Sequence, residues 1–542
     1  MHNDGVEMIK ALVATGVLRP MGPGRVLRVV REVKRWGPTA AAVTAMSAIR
    51  HPGGPAVVDE RGTLDWQALD ERTNAIAHRL AEQGFDSDAT MGVLCRNHRG
   101  FVEAMVVAAK LGSDAVLLNT GFSGPQLGDV ARREGVTFLV HDHGFAPEVA
   151  SSGLGDEVRC FTTSEDGRAG ATTFEELAAR GRADPPAAPA SHSDVVILSS
   201  GTTGTPKGAK RSIDRSSVKG DAKRGSPLGI VARIPLRARA TTLISAPLFH
   251  SWGLSHLMVA GLMSSPMVLR QRFDAEDVLA TIMRERVDTF IAVPAMLQRI
   301  LDLPEELRTP YDTSSLRVVA LSGSALPGGL ATRWMDAFGD NLYSLYGSTE
   351  VAGVAVAGPA DLRAAPDTAG PVLPGIDVRI LLEDGTPVPK GGSGGIFVRS
   401  GMLFDGYTGG GSKLVVDGYM STGDVGHLDD AGRLFVEGRD DDMIVSGGEN
   451  VFPQEVEEVI LRHPGVGEAI VVGVPDEQFG QRLVAVVVRR GDGSLTADDV
   501  REWVRSNLST FKVPRQVEFR DELPRNATGK VLRRVIVEDL AV

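Results

Sequence analysis

Short apolar runs alternate with longer amphipathic stretches from about residue 55 to residue 300. Runs such as 91–94 and 137–140 are dominated by apolar side chains, which predicts buried strands. The stretches 66–83 and 100–111 carry apolar residues at helical spacing and predict helices. Further strands are predicted at 56–58, 115–118, 195–198, 289–293, 317–321 and 341–345. Because strands alternate with helices, we expect largely parallel sheets with helices packed on their faces.

The pattern changes after residue 375. Residues 377–382, 395–399 and 433–437 predict short antiparallel strands, and together they indicate a small β subdomain. A run of three aspartates, 440–442, then precedes a separate α/β unit. In that unit we predict a helix that contains Val456, Val459 and Ile460, strands at 469–474 and 483–488, and a helix at 497–506.

The predicted fold class is therefore α/β. We expect a large N-terminal domain made of two α/β subdomains plus a small β subdomain, followed by a small α/β C-terminal domain. The predicted boundaries are 1–50 for a basic amphipathic N-terminal extension, 51–437 for the N-terminal domain and 438–542 for the C-terminal domain.

The N-terminal extension contains a candidate basic amphipathic helix at 19–36. Its basic residues are Arg19, Arg25, Arg28, Arg31, Lys34 and Arg35, and its apolar residues are Val26, Leu27, Val30, Val33 and Trp36. One interpretation is contact with an anionic membrane surface. The other, which we favour from the sequence, is a helix docked on its own domain.

Composition narrows the class of protein. The chain has 542 residues, of which 42% are hydrophobic and 23% charged, so it has ample material for packed cores. Its net charge of -11 argues against nucleic acid as the main partner. Its two cysteines, Cys95 and Cys160, cannot form a disulfide framework, and residues 1–4 do not resemble a signal peptide. We therefore expect a cytoplasmic protein, with peripheral membrane contact through basic segments left open.

The strongest chemical signal follows the predicted strand 195–198. The sequence Ser199-Ser200-Gly201-Thr202-Thr203-Gly204-Thr205-Pro206-Lys207-Gly208 combines hydroxyls, glycines and a lysine. Such a loop can direct backbone N–H groups at one anion, so we predict a phosphate loop. It is not a Walker loop, because Gly208 stands where Ser or Thr should follow the lysine. The basic stretch 207–239 behind it would attract CoA phosphates or an anionic membrane, although a solvated face is the simpler interpretation.

Five further motifs follow in order along the chain. They lie at 246–251, 343–350, 421–424, 438–442 and 524–530. Together with 199–208 they resemble the adenylate-forming superfamily of acyl-CoA synthetases, luciferase and peptide-synthetase adenylation domains. The resemblance runs from about Asp59 to the C-terminus, and the overall texture is most similar to a bacterial fatty-acid–CoA ligase.

The resemblance implies a two-step reaction. A carboxylate attacks the α-phosphate of ATP, which gives acyl-AMP and pyrophosphate with the help of Mg²⁺. The thiol of CoA then displaces AMP and gives a thioester. In relatives the small C-terminal domain is mobile and rotates between the two steps.

The resemblance also implies roles for named residues. Lys530, Thr349 and Glu350 would be catalytic, and Glu350 would hold Mg²⁺. The phosphates of ATP would be bound by Ser199, Ser200, Gly201, Thr202, Thr203, Gly204 and Lys207. The rest of the nucleotide would be bound by Gly323, Ser324, Ala325, Tyr346, Gly347, Ser348, Asp424 and Arg439.

The remaining implied sites concern the acid, CoA and the hinge. His250, Ser251 and Ser324 would border the acid, although His250 is equally well explained as a core histidine. Amino-acid-activating relatives carry an aspartate where this chain has Phe249 and His250, so an apolar or aryl acid is favoured. Ser446, Gly447 and Gly448 would approach CoA, and Asp441 would be the hinge.

We therefore expect an AMP-forming fatty acyl-CoA synthetase whose partners are a carboxylic acid, ATP and CoA. An aryl- or cyclic-acid CoA ligase shares every nucleotide motif and stays an alternative. So does an acyl-AMP ligase that loads a separate carrier protein. A non-catalytic nucleotide-binding scaffold is disfavoured because Lys207, Glu350, Asp424 and Lys530 are all present. Association into a homo-oligomer is left open.

Overall fold

The computed structural model describes most of the chain. The described residues are 15–17, 21–163, 172–199, 207–210, 228–382, 384–446, 449–476, 480–491, 495–526 and 530–540. They form two compact units. The first comprises Met1–Ala292, Asp302–Leu321 and Gly401–Ser412, and the second comprises Val293–Leu301, Ser322–Ser400 and Lys413–Val542.

One mostly parallel sheet of the first unit supports the predicted phosphate loop. Its strands lie in the spatial order Gly406–Tyr407, Lys207–Lys210, Val195–Ser199, Asp114–Leu117, Thr90–Leu94, Phe138–His141 and Arg159–Thr162. The last five run parallel, whereas Lys207–Lys210 is antiparallel to its neighbours. Apolar residues from these strands and from the helix Gly124–Arg133 form one core cluster.

A second sheet of the first unit leads to the predicted acid-binding segment. Its strands within this unit lie in the order Val318–Leu321, Thr289–Ala292, Thr242–Ile244, Met267–Leu269, Pro55–Asp59 and Gly62–Asp65. All are parallel except the terminal hairpin of Pro55–Asp59 and Gly62–Asp65.

Helices of the first unit follow the predicted alternation with strands. They are Pro23–Trp36, Ala40–Arg50, Trp66–Ala81, Arg99–Leu111, Gly124–Arg133, Ala146–Ala150, Phe174–Arg180, Leu228–Arg233, Ser251–Leu262, Ala275–Glu285 and Glu305–Arg308. Asp65 caps the start of Trp66–Ala81 by accepting from Ala68 N at 2.7 Å. Gly112 ends Arg99–Leu111 in the left-handed conformation, where a Cβ would lie 2.5 Å from Ser191 O.

The second unit contains the predicted antiparallel β subdomain. A hairpin of Leu342–Ser348 and Ala352–Ala357 precedes it. Its strands lie in the order Thr368–Pro371, Arg433–Arg439, Tyr419–Leu428, Gly394–Arg399 and Asp377–Leu381, with Val415–Val416 beside Tyr419–Leu428.

The C-terminal part of this unit is the predicted small α/β structure. Its strands lie in the order Glu449–Val451, Ile444–Ser446, Gly480–Arg489 and Val466–Asp476, and Gln516–Arg520 pairs in parallel with Gly480–Arg489. The helices of the second unit are Pro294–Leu301, Gly328–Phe338, Pro359–Ala364, Pro453–Leu461, Ala497–Asn507 and Arg533–Leu540. Val456, Val459 and Ile460 pack in one core cluster, as their helical spacing predicts.

The α/β fold class is thus confirmed, and the boundaries at 50/51 and 437/438 stay predictions. Several strands extend beyond their predicted bounds, and among them Leu342–Ser348 continues through Tyr346 and Gly347. Both cysteines are free, as expected, and Cys95 is buried. In the described part of the chain, no helix has both the length and the apolar character required to cross a bilayer.

Candidate active site

The predicted phosphate loop connects two antiparallel strands of the first unit. Leu198 pairs with Gly208, and Ser199 pairs with Lys207. The side chain of Ser199 and all of residues 200–206 lie outside the described residues. Ser200, Gly201, Thr202, Thr203 and Gly204 are therefore not placed, and their predicted role is untested.

Lys207 and Gly208 lie at the far side of that loop. The Nζ atom of Lys207 lies 5.3 Å from the centroid of the Tyr407 ring, and the lysine is exposed. Gly208 O accepts a hydrogen bond from Thr408 N at 2.8 Å. A Cβ at Gly208 would lie 2.5 Å from Thr408 Oγ1 and 2.8 Å from Glu134 Oε2, so this close approach requires glycine.

The predicted acid-binding segment is held by a buried asparagine that sequence reasoning missed. The Asn97 side chain donates to Ile244 O at 3.1 Å and to Ala246 O at 2.9 Å. Its Oδ1 accepts from Leu248 N at 2.9 Å. Asn97 therefore fixes the backbone directly before Phe249 and His250.

His250 precedes the helix Ser251–Leu262, and Ser251 is its first residue. The His250 ring centroid lies 4.5 Å from that of Phe249. Its Nε2 atom is buried and has no hydrogen-bond partner among the described residues. Burial lowers the pKa of His250 to about 4, so the imidazole is neutral near pH 7.

A buried histidine, His256, lies within the helix Ser251–Leu262, six residues after His250. His256 Nδ1 is 3.1 Å from Trp252 O, and its ring packs edge-on against Trp252 at 4.0 Å. Burial also lowers its pKa to about 4, and its Nε2 has no partner among the described residues. The part of the first unit around 249–256 is therefore apolar, with two neutral imidazoles.

The predicted nucleotide-binding residues are in the second unit. After the buried Ser322, residues Gly323 to Ala325 form an exposed loop before the helix Gly328–Phe338, and Gly323 has φ +93°. Tyr346, Gly347 and Ser348 form the end of the strand Leu342–Ser348. A Cβ at Gly347 would lie 2.0 Å from Ala352 O, so the hairpin requires glycine there. Thr349 and Glu350 are in the hairpin turn, where Ser348 Oγ accepts from Glu350 N at 3.2 Å.

The structure brings Tyr346, Asp424 and Arg439 together. Tyr346 Oη donates to Asp424 Oδ2 at 2.5 Å. Asp424 pairs with Arg439 across the sheet, and Arg439 Nη1 is 3.8 Å from Asp424 Oδ1. Burial raises the pKa of Asp424, while the Tyr346 hydrogen bond and the charges of Arg439 and Lys413 oppose that shift. Burial also raises the pKa of Tyr346 well above its usual value, so the phenol stays protonated and donates.

Gly423 allows two cations to lie beside Asp424. It has φ +82°, and a Cβ there would lie 3.2 Å from Arg439 Nη2 and 3.3 Å from Lys413 Nζ. Sequence reasoning missed Lys413, because nothing in the glycine-rich stretch 409–411 before it indicates a partner eleven residues later in the chain. The result is a buried carboxylate with a phenol and two cations around it.

Lys530 is on a short loop that is closed by backbone contacts. Asn526 N donates to Lys530 O at 2.9 Å, and Lys530 N donates to Asn526 Oδ1 at 2.9 Å. Leu532 N donates to Pro524 O at 2.8 Å. The Lys530 side chain is exposed, and its ammonium has no hydrogen bond or ion pair with the described residues. The loop thus fixes the backbone and leaves the ammonium available.

Ion pairs attach this loop to the C-terminal sheet. Arg525 Nη2 lies 2.5 Å from Glu468 Oε2. Arg533 Nη2 donates to Glu457 Oε1 at 2.7 Å, and Arg533 Nη1 donates to Val471 O at 2.6 Å. Burial raises the pKa of Glu457, against the opposing charge of Arg533.

The hinge and CoA residues are only partly described. Asp441 lies in a short 3-10 turn, Asp440–Asp442, but its side chain is outside the described part. Ser446 is buried at the end of the strand Ile444–Ser446. Gly447 and Gly448 lie outside the described residues.

The carboxylates of the described residues suit Mg²⁺ better than a metal ion that is coordinated entirely by protein side chains. No group of three or more His, Cys, Asp or Glu side chains suited to a metal occurs among the described residues. Mg²⁺ needs only one or two carboxylates when phosphates complete its coordination. Glu350, a lone carboxylate beside Thr349 in a turn, is compatible with that mode.

Comparison with known proteins identifies similar sequences across nearly the whole chain. Residues 45–408 match the AMP-binding enzyme family, and residues 455–530 match the AMP-binding enzyme C-terminal domain. A feruloyl-CoA synthase of Amycolatopsis sp. is 32% identical over 494 residues, which cover 90% of this chain and 94% of that protein.

Two further proteins are similar. An indoleacetate–CoA ligase of Aromatoleum aromaticum is 35% identical over 342 residues, 62% of this chain and 65% of that protein. The solved o-succinylbenzoate CoA synthetase of Bacillus subtilis, in complex with its acyl-adenylate intermediate, has a TM-score of 0.77 and 28% identity. That match covers 91% of this chain and 97% of the solved one.

Proposed function

Because the chain belongs to the AMP-binding enzyme family, we propose that the acid it activates is aromatic or otherwise cyclic. The chain is an acid–thiol ligase, which forms acyl-CoA through an acyl-adenylate and uses ATP, Mg²⁺ and CoA. The similar proteins are named for feruloyl, indoleacetate and succinylbenzoate substrates, which are all aromatic. The fatty-acid hypothesis gains no support from these relatives.

One observation on this chain supports an aromatic acid. His250 is neutral, its ring contacts the Phe249 ring in a tilted arrangement, and its buried Nε2 has no partner among the described residues. A buried polar atom without a hydrogen bond costs about 1–3 kcal/mol. A plain alkyl chain would leave that cost in place, whereas a ring with a hydroxyl or carbonyl substituent can remove it. Phe249 adds an aromatic surface, and aromatic pairs gain energy beyond the area they bury.

The nucleotide would be bound mainly by the cluster around Asp424. Its carboxylate would accept the two ribose hydroxyls, with Tyr346 holding one oxygen and Arg439 and Lys413 keeping the group charged. Gly323, Ser324 and Ala325 would approach the adenine, with Gly347 and Ser348 on the facing hairpin. The phosphate loop 199–204 with Lys207 would bind the terminal phosphates.

Catalysis of adenylation would use charges at the α-phosphate. Thr349 would donate to that phosphate, and Glu350 would hold Mg²⁺, which neutralises charge on the triphosphate. The exposed ammonium of Lys530 would bridge the carboxylate and the α-phosphate as negative charge concentrates between them. Asn526 would keep the Lys530 backbone in one position, which lowers the entropy lost on reaction.

The second half-reaction would need a change of position by the C-terminal domain, residues 438–542. Asp441 would be its pivot, and Ser446, Gly447 and Gly448 would line the approach of CoA. These assignments and the boundaries of the N-terminal extension and the two domains are part of the proposal.

The decisive experiment is a profile of acids with the purified protein. AMP release and thioester formation are measured for feruloyl-type, indolyl and benzoate-type acids and for unbranched fatty acids, each with and without CoA. We expect CoA-dependent thioester formation to favour the aromatic acids. A preference for unbranched fatty acids, or loading of a carrier protein with no reaction of CoA, would contradict the proposal.

A further inference from the structure

Among the described residues, Trp36 and Arg35 at the C-terminal end of the helix Pro23–Trp36 attach it to the first unit. Trp36 is 1% exposed and packs with Ala41, Ala42, Ala45 and Ala109. Trp36 Nε1 donates to Glu32 Oε2 at 2.8 Å, and the guanidinium of Arg35 donates to Pro185 O and Pro186 O. Gly37 ends the helix with φ 63°, where a Cβ would lie 2.8 Å from the His192 ring.

The apolar face of this helix is exposed rather than docked. Leu27 is 65% exposed and Val30 56%, and Val26 and Val33 are 43% and 41% exposed. Positions 26, 30 and 33 follow helical spacing, and 27 borders them, so these side chains form one stripe. Contacts of Trp36 and Arg35 thus attach the C-terminal end of the helix to its own unit, in line with the favoured interpretation, whereas this apolar stripe is exposed.

The charge of this helix is opposite to that of the whole chain. Arg25, Arg28, Arg31, Lys34 and Arg35 are opposed only by Glu32 within the helix, whereas the protein has a net charge of -11. Arg25, Arg28, Arg31 and Lys34 are exposed and form no ion pair with the described residues. A surface that covers the stripe must therefore be apolar beside the valines and leucine and anionic at its edge.

We propose that this helix lies in the interface of an anionic lipid bilayer, with Val26, Leu27, Val30 and Val33 among the acyl chains and the arginines at the headgroups. An interfacial helix of this kind is basic on its polar face and apolar on the other. Each basic residue near an anionic membrane strengthens binding, and so does each Val or Leu side chain that becomes buried among the acyl chains. This inference is independent of which acid the enzyme activates.

The test is co-sedimentation of the full-length protein with vesicles. We expect binding to vesicles that contain phosphatidylglycerol, much weaker binding to pure phosphatidylcholine, and loss of binding as salt rises. Leu27→Asn together with Val30→Asn should weaken binding at least about tenfold. Arg28→Gln together with Arg31→Gln should weaken it about tenfold to thirtyfold.

Matched controls use exposed residues elsewhere. Leu307 is 40% exposed, and Arg182 and Lys390 are exposed cations, so Leu307→Asn and Arg182→Gln with Lys390→Gln should leave vesicle binding unchanged. All variants should keep thioester formation with a water-soluble acid, which shows that they fold.

Three results would overturn the inference. The first is no binding to anionic vesicles by the full chain. The second is binding that appears only after deletion of residues 1–14, because those residues would then be the natural cover of the stripe. The third is a dimer, detected by light scattering without lipid, that Leu27→Asn with Val30→Asn dissociates.

Discussion

The residues around Asp424 in the second unit and those around His250 in the first unit differ in how their polar groups are satisfied. Around Asp424, a phenol and two cations surround one carboxylate, and the polar groups satisfy one another. Around His250, the surroundings are apolar, and two neutral histidines each keep a buried nitrogen without a described partner. The first arrangement suits a ligand of fixed polar chemistry, the nucleotide. The surroundings of His250 offer only a few polar contacts that could select the acid. Substitutions near His250 can therefore change the specificity for the acid without changing ATP binding.

The largest expected effect comes from removal of Lys530, which we propose acts in the adenylation half-reaction alone. Lys530→Ala should lower adenylation by about 10²–10³-fold, because one donor at the developing charge is lost. Thioester formation from supplied acyl-AMP should largely survive. Pyrophosphate exchange and single-turnover thioester formation measure the two steps. Lys512→Ala, which removes a lysine paired with Glu455 in the same domain, is the control and should affect neither. Equal loss of both steps would contradict the role of Lys530.

The second test removes the carboxylate at the centre of the polar cluster. Asp424→Ala should raise the KM for ATP by about 30- to 100-fold, since two hydrogen bonds to a charged acceptor are lost. The KM for the acid should change far less. Asp377 offers a matched control, because it also accepts from a tyrosine, Tyr419, and an arginine, Arg399, in the same sheet. If Asp377→Ala raised the KM for ATP equally, the assignment of Asp424 would fail.

The third test addresses the support of the acid segment. Asn97→Ala leaves two carbonyls and one N–H without their partner, which should cost about 2–4 kcal/mol of the free energy of unfolding. The KM for the acid should rise about tenfold while the KM for ATP stays nearly constant.

Asn74→Ala is the matched control for that experiment. Asn74 is also buried. Its side chain donates a hydrogen bond to Ala183 O and accepts one from Lys110 Nζ, but it forms no hydrogen bond with residues 244–250 in the described part of the chain. It should lower stability in urea denaturation without changing the KM for the acid. A rise in both KM values with Asn97→Ala would mean that the residue has only a general structural role.

The smallest expected effect concerns His250. His250→Phe keeps the aromatic wall and removes the unpartnered nitrogen, so we expect a 3- to 10-fold loss of kcat/KM for hydroxylated or carbonyl-bearing aryl acids. Acids without such substituents should lose nothing. Equal losses for both groups of acids would exclude a hydrogen bond from His250 to the substrate.

The pH dependence of stability and of the KM for the acid follows from the burial of His250. The pKa of His250 is lowered to about 4 in the folded state, against about 6.5 when unfolded. The folded state therefore disfavours the proton, and this group's contribution to stability is present above pH 6.5 and lost as pH falls from 6.5 towards 4. The KM for the acid should stay flat from pH 6 to 8. A titration near pH 6.5 that His250→Phe abolishes would contradict the neutral imidazole.

The contrast also explains what sequence could predict. The family resemblance assigned Tyr346, Asp424 and Arg439 to one nucleotide, and the structure places the three side chains close together. Lys413 and Asn97 were missed, since their partners depend on long-range packing that no local pattern encodes. The Asn97 side chain, for example, donates a hydrogen bond to Ala246 O, although Ala246 is 149 residues later in the sequence. The only sequence feature that pointed to Asn97 was its position as a polar residue soon after the buried strand Thr90–Leu94.

The N-terminal helix illustrates the same limit. The helical spacing of its apolar residues and its positive charge were evident in the sequence. The sequence did not indicate which face of the helix packs against the protein. The described contacts of Trp36 and Arg35 orient the helix so that the valine–leucine stripe is exposed, and these long-range contacts are not encoded in a local pattern.

The most direct test of the central claim is competition between acids in one reaction. Equal concentrations of a feruloyl-type acid and an unbranched fatty acid are offered with ATP, Mg²⁺ and CoA, and the thioesters are separated and measured. The account predicts mostly the aromatic thioester, with one AMP released for each. A mixture dominated by the fatty acyl thioester, or AMP release with no CoA product, would contradict it.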